Sequence, residues 1–136
     1  MPCPNFYKNN FAIVRQLIPY KMPKVISVHE YTLKAGVSAS DFERAVHSAE
    51  QRGLFNLLGL ESHYFVRALR GARRGAYAAV WVYPSRAVWE NTWGSLEQPY
   101  PPEKYPNGWI IWEKEILAQY LDREPDRIVF TAYEEI

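Results

Sequence analysis

An α+β fold, one antiparallel sheet with helices on one face in the order βαββαβ, is predicted by three observations on this 136-residue chain. Four short segments rich in β-branched and aromatic residues are interleaved with segments of helical apolar spacing. A tight, glycine-bearing connection, Arg70 to Gly75, joins the second and third strand segments as a hairpin. Apolar residues at 48% and charged residues at 23% are the proportions of a folded globular chain, not of a disordered, collagen-like or coiled-coil one. The element order is the split βαβ arrangement of ferredoxin-like folds, with strand order 4-1-3-2.

The elements follow in order. Residues 1–23, with Pro2, Pro4, Pro19 and Pro23 and the polar run Asn5 to Asn10, carry no sustained periodicity and read as an arm preceding a single domain over 24–136. Val25 to Leu33 is the first strand, ending at Lys34, Ala35 and Gly36 as a strand entering a turn should. Ser40 with Glu43 forms a capping box, and Phe42, Ala45, Val46 and Ala49 continue at helical spacing until Gly53 offers a left-handed stop. Ser62 to Leu69 and Tyr77 to Tyr83 are the second and third strands. Pro84 and Ser85 open a second helix carrying Val88, Trp89 and Trp93. Four prolines between Glu97 and Gly108 make that segment an extended loop. A third helix runs from about Trp109 to Leu121, and Ile128 to Tyr133 is the last strand.

Charge and cysteine content narrow the function classes. Sixteen basic and fifteen acidic side chains leave a net charge of +1, which provides no general attraction to nucleic acid or an anionic membrane. The lone Cys3 has neither a disulfide partner nor a CxxC neighbour. No segment approaches the roughly 20 apolar residues of a membrane helix, and no signal core follows the N-terminus, so a cytoplasmic protein is expected. The three histidines follow no metal-ligand spacing, and no phosphate-binding glycine loop or GxSxG elbow occurs, so neither metal nor cofactor is expected.

The third strand is the informative one. Its faces are Ala78, Val80, Val82 and Tyr77, Ala79, Trp81, Tyr83, with no charge on either, so both should be covered. The small aliphatic set suits packing under helices. The aromatic set is then expected to point away from them, toward a second sheet or a stacked ligand.

Residues Ser27 to Gly36 (SVHEYTLKAG), followed by Asp41 and Phe42, resemble the opening strand and helix of NIPSNAP-like members of the dimeric α/β-barrel superfamily, with Ala35 where a proline is common. The resemblance extends in pattern over residues 24–83. It implies a homodimer whose two sheets face each other as a closed barrel, covering the aromatic face of the third strand. The superfamily includes cofactor-independent monooxygenases, haem-degrading enzymes, lactone isomerases and dehydratases, so the reaction does not transfer with the fold.

Candidate chemistry centres on the first strand, where Ser27, His29 and Tyr31 share a face and pair toward Trp81 and its aromatic neighbours. A desolvated His29 stays neutral and open to a proton, with Tyr31 as hydrogen-bond donor; the alternative is a structural histidine at the dimer interface. Ser27, Tyr77, Trp81, Tyr83, Trp89 and Trp93 are the expected ligand-pocket residues, and Tyr100 and Tyr105 belong to an ordered surface loop, with a lid over the pocket as the alternative. Glu30 is read as a salt-bridge residue and His47 as exposed. His63 lies a strand away from His29's immediate neighbour, too far for a shared metal.

The reading is a homodimeric α/β-barrel protein binding or transforming a small apolar or aromatic molecule, by monooxygenation or isomerisation without a cofactor if it is an enzyme. A non-catalytic dimeric binding protein is the alternative. An RNA-binding βαββαβ module is the rival from another class, faintly echoed by Arg74 to Val80, but Ala76 stands where its first stacking aromatic belongs.

Overall fold

The computed structural model describes residues 22–136. The expected arm, apart from Met22 and Pro23, lies outside the described residues. Four antiparallel strands, β1 (Val25–Tyr31), β2 (Ser62–Arg67), β3 (Tyr77–Tyr83) and β4 (Val129–Glu134), form one sheet in the order β2-β3-β1-β4. That is the expected ferredoxin-like order. Helix α1 (Ala39–Gln51) joins β1 to β2, and α2 (Arg86–Trp93) follows β3. Helix α3 starts as Asn107–Ile111, widens into a π-helical stretch at Trp112–Leu117 and closes as Ala118–Tyr120.

Local chemistry explains the boundaries. The α1 cap is Ser38, not Ser40: its hydroxyl accepts from the Asp41 N–H at 3.0 Å, and Ser40 already lies inside the helix. Two Ser residues preceded acidic residues at cap spacing, and the earlier one took the role. Ser85 caps α2, accepting from the Val88 N–H at 3.2 Å, so the helix opens at Arg86, just past the expected Pro84 and Ser85. Gly94 ends α2 at φ 90°, and a Cβ there would lie 2.5 Å from the Tyr100 N and 2.6 Å from the Gln98 O. Gly94→Ala is therefore expected to cost roughly 2 kcal/mol and to shift the following loop, measured as the urea midpoint and the Tyr105 NMR signals.

The core lies between the sheet and the helices, and it overturns one expectation. Tyr77, Ala79, Trp81 and Tyr83 are all buried on the helix side, packed with Phe42, Trp109 and Trp112. The aliphatic set of β3 faces away from the helices instead. Strand alternation makes the two sets opposite but does not say which is up; packing decides that. Only large rings span the space between this sheet and the short or widened helices above it. Phe55 against Trp112 at 5.0 Å and Phe42 against Tyr77 at 4.9 Å are such contacts, each contributing about 0.5–1.5 kcal/mol beyond burial.

The ambiguity of β2 resolves the same way. His63 and Phe65 pair with Trp81 and Ala79 and face the helices, while Tyr64 and Val66 face outward. The outward face thus consists of Ile26 and Val28, Ala78, Val80 and Val82, Tyr64 and Val66, and Val129 and Tyr133. Among the described residues nothing covers it. Glu30 at its end pairs with the Arg73 Nε at 2.9 Å, as its parity suggested, and Arg73 also donates to the Tyr31 and Tyr77 carbonyls.

Candidate functional site

Between the sheet and helices α2 and α3 lies a cavity of about 860 Å³. The helix-side face of the sheet supplies its floor: Ser27 and His29 from β1, Trp81 and Tyr83 from β3, Phe130 and Ala132 from β4. Trp89 and Trp93 on α2 and Trp109 on α3 form the walls, one helical turn of α2 setting the first two side by side. The proline loop contributes Pro99, Pro102 and Tyr105 at the rim, and the turn after α3 contributes residues 124–128.

Of the residues singled out from sequence, Ser27, His29, Trp81, Tyr83, Trp89 and Trp93 come together around this cavity, and Tyr31 and Tyr77 do not. Tyr31 is fully buried among Phe42, Phe65 and Trp112; burial pushes its hydroxyl well above the usual phenol range. It shares a face with His29 but lies one residue pair further along, under the core. Tyr77 donates to the Glu43 carboxylate at the foot of α1, which Arg67 also meets at 3.4 Å. Tyr105 lines the rim; Tyr100 stands outside the lining, with the Lys104 ammonium 5.6 Å from its ring.

His29 sits in an aromatic cage. Its ring lies 5.5–6.0 Å from those of Trp81, Trp109 and Phe130, at tilted or edge-on angles. Its Nε2 lies 3.2 Å from the Ser27 hydroxyl, and its buried Nδ1 has no hydrogen-bond partner among the described residues. Desolvation lowers its pKa to about 4, so the imidazole is neutral at pH 7. His63 stacks on Trp81, 5.5 Å away at 15°, and its Nε2 bonds Glu50 at 2.6 Å. The two histidines therefore touch the same indole, and His63 is tied to α1 by Glu50. No group of three or more potential metal ligands occurs among the described residues.

Tyr83 and Trp93 form a polar pair in the wall: the Trp93 Nε1 donates to the Tyr83 oxygen at 3.0 Å. That bond leaves the Tyr83 hydrogen free to donate elsewhere. Burial raises the Tyr83 pKa to about 12, so it remains a donor at any ordinary pH. Tyr83→Phe is expected to strand the Trp93 N–H and cost roughly 1–2 kcal/mol, seen in thermal melts.

Several lining residues escaped sequence reading, among them Trp109, Phe130 and Glu113. Glu113 lies in the π-helical stretch, half-buried, and burial raises its pKa to about 7; Asp126 adds to the rise, and the Trp109 side chain beside it offsets part. In a regular helix Glu113 reads as one more charge in the run Glu113, Lys114, Glu115. The signal was absent because the π-turn, in which the Ala118 N–H reaches back five residues to the Glu113 carbonyl, is set by packing.

The geometry defines a class: a ferredoxin-like α+β protein with an aromatic cavity between its sheet and helices. Solved structures share this fold. One is a Dabb family protein with a ferredoxin-like fold from Mesorhizobium loti, similar at TM-score 0.57 and 9% identity over 82% of this chain and 96% of that one. Another is a conserved protein from Methanosarcina mazei, at TM-score 0.54 and 14% identity over 85% and 96%. At these identities the likeness shows the ferredoxin-like fold. No family model and no curated protein matches the chain.

Proposed function

We propose that this protein is a homodimeric, NIPSNAP-like α/β-barrel protein that holds a small, mainly apolar or aromatic molecule in the cavity between sheet and helices. The observation that carries the reading is the cavity: about 860 Å³, walled by Trp89, Trp93 and Trp109 and floored by Trp81, Ser27 and His29. This size and mix suit a ligand of one to three rings, with a few polar groups to orient it. His29 acts there as a neutral hydrogen-bonding group, and as the proton acceptor if the ligand is transformed without a cofactor. A conjugate acid near pKa 4 makes it a weak base at pH 7, which favours the binding role.

Dimerisation is the second part of the reading. It rests on the uncovered apolar face of the sheet, where Tyr64, Val129 and Tyr133 are each more than half exposed. Two such faces closing on each other about a twofold axis bury both. The aromatic set of β3 has no part in that contact, being already under its own helices. Tyr77, Trp81 and Tyr83, the third-strand aromatics an RNA-recognition module would present, are buried under the helices. No described helix is long and apolar enough to cross a membrane.

The test is titration with 2-ethylnaphthalene followed by tryptophan fluorescence. Saturable quenching is expected in the wild type, weakened about tenfold or more in Trp93→Ala, because one wall of the cavity is lost. Equal quenching of both proteins, or none of either, overturns the reading.

A further inference from the structure

The cavity is not uniformly apolar. Its sheet end is the His29 cage, and its α3 end holds Glu113, with Trp109 touching both: the Trp109 ring is 5.6 Å from that of His29, and its side chain lies beside Glu113 one helical turn on. No ion pair among the described residues includes Glu113. A half-buried carboxyl facing a ligand-sized space is costly to ionise, the Lys114 charge beside it offsetting only part of the burial, and the π-turn that carries it is a form often found at functional sites.

We propose that Glu113 is the polar anchor of the cavity, donating a hydrogen bond from its protonated carboxyl to an acceptor oxygen of the bound molecule. The ligand class is then an aromatic molecule carrying a carbonyl or similar neutral acceptor, its ring among Trp81, Trp93 and Phe130. This inference rests on the cavity being the ligand site. It adds that binding is pH-dependent, since the carboxyl loses the donor hydrogen on ionising near neutrality. The charged and titratable groups around it are Lys114 on its own helix, Asp126, Glu124 and Arg127 from the following turn, Tyr105 from the loop and His29 from the sheet. Among these His29 is already neutral above about pH 4.

Two probes of the same shape separate the inference from the reading beneath it: 2-acetonaphthone, which carries a carbonyl, and 2-ethylnaphthalene, which does not. Wild-type protein is expected to bind 2-acetonaphthone about tenfold more tightly at pH 5.5 than at pH 8.5, the effect of one buried hydrogen bond. It should bind 2-ethylnaphthalene with only a small loss between pH 5.5 and pH 8.5, the cost of drying the ionised carboxyl with no hydrogen bond to lose. Glu113→Gln keeps a donor at every pH and should abolish the pH dependence for 2-acetonaphthone. Direct titration of the Glu113 carboxyl by carbon NMR in the unmutated protein should show a step near pH 7 that moves upward when 2-acetonaphthone is bound. A pH dependence that survives in Glu113→Gln, or 2-acetonaphthone binding without any, overturns the role of Glu113 and leaves the cavity reading intact. If neither probe binds, both fall together.

Discussion

Glu113→Gln is expected to lose about 3 kcal/mol of unfolding free energy as pH falls from 6.5 to 4, while the wild type loses much less over the same range. The two groups work in opposite directions. His29 has a folded pKa of about 4 against an ordinary 6.5, so between these values the unfolded chain binds the extra proton and stability falls as pH falls. Glu113 has a folded pKa of about 7 against an ordinary 4.5, so between these values the folded chain binds the extra proton. Stability from that source is full below the lower value and is lost as pH rises through 7. Its size is about 2 kcal/mol once allowance is made for the water that still reaches a half-buried carboxyl. In the wild type the contributions largely oppose each other between pH 4.5 and 6.5; removing Glu113 leaves that of His29 alone. Asp41, held low by Ser38 and Arg44, weakens both proteins alike at more acid pH and cancels in the comparison. Urea unfolding at four pH values from 4 to 7 measures the difference. Parallel curves for the two proteins refute the assignment of Glu113 as a strained cavity carboxyl.

A single charge in the middle of the uncovered sheet face should take the proposed dimer apart. Val80 sits at the centre of that face, paired with Val28 on one side and Tyr64 on the other. In Val80→Asp the twofold axis brings two unpaired carboxylates into a dry apolar contact, costing about 3–5 kcal/mol and weakening association at least a hundredfold. Light scattering is expected to show the wild type at twice the chain mass of 15.9 kDa and the variant at 15.9 kDa. Because Val80 is partly exposed in the single chain, on the face away from the core, the variant should keep its circular dichroism spectrum. A wild type already at 15.9 kDa, or a variant that stays dimeric, defeats the proposed pairing of sheets.

Much of the fold was legible because its signals are local. Strand β3 was bounded to the residue by Gly75, Pro84 and an unbroken run of strand-forming side chains, and Ser85 announced α2 through its cap geometry. Helix α3 was placed within about two residues, but its π-turn was not, because an extra residue in a turn leaves no periodic trace over so short a helix. The cavity list was legible in part for the same reason. Trp89 and Trp93 share a helix face by spacing, and Ser27, His29 and Trp81 meet by strand parity and register, all of which can be counted along the chain.

By itself, then, the sequence determined the order of elements, the antiparallel topology, and the absence of charge from either face of β3. Only the tertiary structure decided which face went where. Parity is a relation between neighbours and is unchanged when the whole sheet is turned over. The choice belongs to the volume between sheet and helices, which Trp112, Tyr31 and Trp81 fill and the small residues of the other face do not. The same volume, left unfilled beside β4, became the cavity, and the widening of α3 that turned Glu113 toward it was settled by packing that no window of sequence contains.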